Sequence, residues 1–158
     1  MARFVFKLQN VLNLRERLEE QQKIAFAQAE SKRDEELFKL QNLEKVRASC
    51  EEKLRESSSG SINIDDIKHV KRDIKATEYL IEDQTKVLMA AENEVERQRV
   101  LLADAVKERK IYEKLREKAF EDFLREEEAK EKSTIDELVS ARYAANIVEG
   151  GMTDGEEE

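Results

Sequence analysis

The chain has 158 residues, 42% of them charged and 39% hydrophobic, with no proline, no tryptophan and four glycines. Helices without proline can run long, few glycines leave few places to turn, and a 6% aromatic content suits a narrow apolar seam better than a thick globular core. A net charge of -8, from 37 acidic against 29 basic side chains, opposes nucleic acid or anionic lipid as the main ligand.

The first predicted helix covers residues 1–56. Its apolar positions include Phe4, Leu8, Val11, Leu14, Leu18, Ala25 or Phe26, Ala29, Leu37, Leu40, Leu43, Val46, Cys50 and Leu54. Steps of four and four around Phe26 and Leu37 raise the local period above 3.5, which locally straightens a supercoil. Arg33 falls near a core position and is expected to extend its charged end to water. Cys50 is the only cysteine, so it forms no internal disulfide; its spacing from Val46 and Leu54 makes it a small seam residue in a reducing compartment.

Residues 57–62 are the predicted turn. Ser57, Ser58, Ser59, Gly60 and Ser61 offer short side chains that compete for backbone hydrogen bonds, with one glycine among them. A helix-start signal follows: Asn63 as N-cap, Asp65 and Asp66 at the positive helix end, and Ile62 poised to pack on Ile67.

The second predicted helix covers residues 63–147 and carries the clearest pattern in the chain. Ile67, Ile74, Ile81, Leu88, Val95 and Leu102 recur every seventh place. Val70, Thr77, Gln84, Ala91, Gln98, Ala105, Tyr112 and Ala119 fill the intervening positions. A heptad seam of this kind needs a second helix to cover it. Leu80, Val87, Leu101 and Leu115 widen the stripe to one side, and the recurrent alanines let two backbones approach closely. If the turn reverses the chain, facing residue numbers total about 119, which sets Cys50 opposite His69 or Val70, Leu40 near Tyr79 or Leu80, and Phe4 near Leu115. The fold class expected is therefore all-α: two long helices in an antiparallel coiled-coil hairpin, the second longer than the first.

The second helix should overhang its partner by about 30 residues, or about 45 Å. Arg109 and Arg116 take the heptad positions after Leu102, and the apolar face moves to Leu115, Ala119, Phe120 and Phe123. Residues 126–132 are almost all charged, and Ile135, Leu138, Val139 and Tyr143 restore a short apolar face. Gly150 and Gly151 are expected to end the helix, within a disordered acidic tail at residues 148–158.

No catalytic, cofactor or metal motif stands out. The sequence has no Walker glycine loop, no Gly-x-Gly-x-x-Gly, no cysteine pair and one histidine, His69. Asp65, Asp66 and Asp73 near His69 are explained by capping and by the surface. The acidic clusters alternate with Lys and Arg at helical spacing, as on a solvated helix face. No apolar run approaches the roughly 20 residues needed to span a bilayer, and Arg3 and Lys7 fall inside what would be a signal peptide's apolar core. The chain is expected to be cytoplasmic and not an enzyme, with no cofactor and no small-molecule substrate. It would act by presenting an edge or an end to other proteins.

Both ends resemble the FliJ family of flagellar type III export proteins. At the N-terminus the likeness lies in Phe4, Val5, Phe6, Lys7, Leu8 and Gln9, then Val11, Leu12, Asn13, Leu14, Arg15 and Glu16, then Glu19 and Glu20. Further on it lies in Lys107, Glu108, Arg109 and Lys110, in Glu113, Lys114, Leu115, Glu117 and Lys118, and in Asp136, Glu137, Leu138 and Arg142. Where family members often carry aromatics early in the second helix, this chain has His69, Val70, Arg72, Asp73 and Ile74, with Tyr79 later.

The resemblance implies a stalk and general chaperone that binds the hexameric flagellar export ATPase, promotes its assembly, and couples it to the membrane export gate. Export chaperones are further implied partners, with the protein peripherally associated with the inner face of the cell membrane. Phe4, Arg15, Arg109, Arg116, Phe120 and Phe123 are the candidate ATPase contacts; His69, Arg72 and Tyr79 are the candidate gate contacts. The competing expectations are a structural or adaptor coiled coil with no ATPase partner and, less well supported for want of a globular foot, a stalk of a rotary ATP synthase or vacuolar-type ATPase.

Overall fold

A computed structural model describes residues 3–151, with side chains described as far as Val148. The acidic stretch 152–158, expected to be disordered, lies outside the described residues. Two helices make up the fold, α1 at Gln9–Ser59 with 51 residues and α2 at Ile64–Gly151 with 88, and the described residues contain no strand. The expected antiparallel hairpin with a longer second arm is what forms.

The helix ends follow local chemistry. Residues 3–6 lie outside α1 although the first helix was expected from residue 1. The main-chain amides of Val11 and Leu12 both donate to the Leu8 carbonyl at 3.0 Å. Phe4 and Phe6, which could not share one face of a helix, are both half-buried, because alternate residues outside a helix can point the same way. At the other end α1 continues through Ser57, Ser58 and Ser59. The Ser58 hydroxyl donates to the Leu54 carbonyl at 2.8 Å and that of Ser59 to the Glu56 carbonyl at 3.0 Å, bonding back onto the last turns of the helix. Asn63 caps α2: its Oδ1 accepts the Asp65 amide at 3.1 Å, and its carbonyl accepts the Ile67 amide at 3.2 Å. Ile62 remains 64% exposed.

Two compact units divide the chain. In the unit Leu14–Arg109, the half-buried and buried positions of α2 are the heptad read from the sequence: Ile67, Val70, Ile74, Thr77, Ile81, Gln84, Leu88, Ala91, Val95, Gln98, Leu102 and Ala105. The seam of α1 differs from the apolar list. It steps by alternate threes and fours through Arg15, Glu19, Gln22, Phe26, Ala29, Arg33, Glu36, Leu40, Leu43, Arg47, Cys50, Leu54 and Ser57, all but Arg47 at least half-buried. The period does not rise above 3.5, contrary to the expected straightening. Leu14, Leu18, Leu37 and Val46 are instead exposed.

The reason is polar pairing across the seam. Gln84 Nε2 donates to the Glu36 carboxylate at 2.5 Å and to its main-chain carbonyl at 3.0 Å. Gln22 Nε2 donates to the Gln98 side-chain oxygen at 2.5 Å. Arg109 Nε donates to the Glu19 carboxylate, which also takes an ion pair from Lys23 at 3.0 Å. Glu19 and Glu36 are only 5% and 8% exposed, a burial that carboxylates tolerate when paired. Residue numbers in the Gln22–Gln98 and Glu36–Gln84 pairs both total 120, as an antiparallel pair requires. Arg33 satisfies its guanidinium with Asp34 at 2.8 Å.

The second unit comprises residues up to Asn13 together with those from Lys110 onward. Its most buried large side chain is Leu12, 1% exposed. Phe4, Phe120 and Phe123 gather around one another, so Phe4 meets α2 about a turn and a half beyond the expected Leu115. From Glu128 to Val148 every side chain is exposed.

Candidate partner-binding site

The aromatic cluster is built by two elements with different local rules. Phe120 and Phe123 lie three apart on α2 and so share a face; Phe4 arrives from the non-helical segment before α1. The Phe4 and Phe120 centroids are 5.1 Å apart at 74°, an edge-to-face pair, and Phe4 and Phe123 are 5.6 Å apart at 54°. Phe120 and Phe123 stack at 6.5 Å and 22°. Such geometries add about 0.5–1.5 kcal/mol per pair beyond burial. The cluster holds residues 3–6 down, yet Phe120 stays 44% exposed, with Val5 at 74% and Leu115 and Leu124 also largely open. Beside it Arg3, Phe4, Val5, Phe6, Gln9 and Arg116 line a shallow hollow. Aromatic faces next to arginine are what protein interfaces select as anchors.

Arg15 and Arg109 belong to the other unit and are engaged there. Arg15 faces Glu108 at 3.6 Å, and Arg109 holds Glu19. Burial pushes the Glu19 carboxyl up, but hydrogen bonds and charge from Arg109 and Lys23 together bring it below its ordinary value. His69, Arg72 and Tyr79 lie on α2 of this unit and are all exposed, Tyr79 by 60%. Of the nine singled-out residues the structure thus gathers Phe4, Phe120 and Phe123 into direct contact and sets Arg116 on the hollow that Phe4 also lines. It gives Arg15 and Arg109 ion-pair partners within the helix pair.

The apolar reading of α1 missed the buried polar residues Glu19, Gln22 and Glu36. A signal was present: the spacing from Arg15 to Ser57 is an unbroken heptad once polar residues are admitted to it, and Gln84 and Gln98 sit in the companion seam.

Among the described residues no group of three or more His, Cys, Asp or Glu side chains could hold a metal ion. Among the described residues no helix is long and apolar enough to cross a membrane. Compared with known families, residues 4–147 match the one described as Flagellar FliJ protein. The chain belongs to the FliJ family. The match includes the whole aromatic cluster and the paired seam, and it makes the chain a component of the flagellar export apparatus. No curated protein and no solved structure matches it.

Proposed function

We propose that this FliJ-family chain is a non-enzymatic stalk and general chaperone of the flagellar export apparatus. It binds the hexameric export ATPase, promotes assembly of the ring, couples it to the membrane export gate, and receives export chaperones. The family match over residues 4–147 is the observation that carries this reading. The exposed aromatic and arginine surface supports it, since a surface with this composition suits a protein partner.

Phe4, Phe120, Phe123 and Arg116 supply the ATPase contact. Arg15 and Arg109, in the other unit, are further ATPase contacts. His69, Arg72 and Tyr79, exposed near the turn, face the gate. The protein works in the cytoplasm, peripherally associated with the inner face of the membrane through its partners. The exposed side chains from Glu128 to Val148 belong to the overhang of α2.

The test is ring assembly. Sedimentation of the cognate export ATPase with the intact protein should shift monomers toward hexamers, and the Arg116→Glu and Phe120→Ala variants should weaken that shift without loss of helix content. Unchanged sedimentation with the intact protein would remove the ATPase from its partners.

A further inference from the structure

The apolar seam of α2 is nearly uniform. Ile67, Ile74, Ile81, Leu88, Val95 and Leu102 repeat every seventh residue, so sliding α1 by one heptad exchanges one aliphatic neighbour for another. Apolar packing alone therefore discriminates poorly between registers. The polar pairs do not repeat in this way. A one-heptad slip sets Glu36 opposite Ala91 or Thr77, Gln22 opposite Ala105 or Ala91, Gln98 opposite Ala29 or Arg15, and Gln84 opposite Leu43 or Ala29. Glu36, nearly fully buried, then loses Gln84, and an unsatisfied buried carboxylate is expensive. The same slip pushes the turn into the Asn63 cap or into the last turn of α1.

We propose that the Gln22–Gln98 and Glu36–Gln84 layers are axial locks, which fix the sliding position of α1 on α2 within the unit Leu14–Arg109. The apolar seam supplies cohesion, and the locks select one register among several that cohesion would allow. A helix pair locked this way resists displacement of one arm along the other, so an axial push at one point of the pair is passed on instead of being absorbed by slip. This holds whatever the partner, and its failure would leave the export reading standing.

Cys50, the single cysteine, allows a direct test. Val70→Cys pairs with it at a residue total of 120, the register of the locks. Thr77→Cys pairs with it only after a one-heptad slip, because seven residues along a helix is about 10 Å and a disulfide spans Cα atoms no more than about 7 Å apart.

Each reporter is placed in the otherwise unaltered chain and in a chain whose four lock residues are replaced by leucine. Mild oxidation is followed on a non-reducing gel, with helix content from circular dichroism. In the unaltered chain the Val70→Cys reporter should give the intramolecular bridge and Thr77→Cys almost none. Without the locks the slipped bridge should rise on the order of tenfold, equivalent to about 1.4 kcal/mol of lost discrimination, while helix content and melting temperature hold or increase. If the lock-free chain still bridges only through Val70→Cys, the turn sets the register and the proposal is wrong. If its bridges become intermolecular, the layers choose the partner chain and not the sliding position, which also overturns it. Should four replacements unfold the chain, Glu36→Leu with Gln84→Leu alone is read by the same two bridges, under the same criteria.

Discussion

Glu19 shows how a charged residue comes to occupy a coiled-coil seam. Its side chain is 7% exposed and is held by Arg109 and Lys23, so charge and hydrogen bonds overcome the burial that would otherwise neutralise it. Replacing Arg109 by leucine strands that carboxylate with Lys23 alone and should destabilise the chain by about 1–3 kcal/mol in urea unfolding. Replacing Glu19 and Arg109 together should recover most of the loss, because an apolar pair of similar volume suits the site. Acid acts on the same chemistry. Lys39 and Gln84 hold Glu36 below its ordinary value, and Arg97 draws Glu94 down to about 2. A carboxyl depressed by folding binds fewer protons in the folded state, so its contribution is complete above about 4.5 and disappears as pH falls through the depressed values. Thermal melts should therefore be level near neutral pH and decline below about 4.5. A melting temperature that rises on acidification would contradict the pairing.

At the scale of elements, the turn between α1 and α2 shows which local signals decide a boundary. No described residue has positive φ, Gly60 included, and a Cβ built on Gly60 meets nothing within 4 Å. Gly60→Ala should stabilise the hairpin by about 0.4–1 kcal/mol, by restricting the unfolded chain; a loss in denaturant midpoint would show that the turn needs glycine after all. The serines beside it extend α1, because their hydroxyls bond back to carbonyls of their own last turn. The seam of α2 and the Asn63 cap were legible in the sequence because both are local patterns, one periodic and one positional. The seam of α1 was not, because its face is decided by what Gln84, Gln98 and Arg109 offer from far along the chain. Apolar residues such as Leu14 and Val46 gave the wrong face locally and now lie exposed. Likewise the pairing of Phe4 with Phe120 and Phe123 depended on residues 3–6 leaving the helix, which composition alone does not announce.

For the molecule as a whole, the proposed function draws on side chains that folding leaves over. Pairing the two arms uses Ile67 to Leu102 and the polar layers, whereas Phe120, Val5, Arg116 and the α2 face from Glu128 to Val148 remain open to solvent. A net charge of -8 argues that partner contact is led by such anchors with charge as a selector, so moderate salt should weaken it without abolishing it. The direct measurement is the steady-state rate of ATP hydrolysis by the cognate export ATPase with and without this chain. The rate should rise with the intact protein, and Arg116→Glu or Phe120→Ala should reduce the rise. A rate unchanged by the folded, intact protein across ATPase concentrations that span ring assembly would contradict the account.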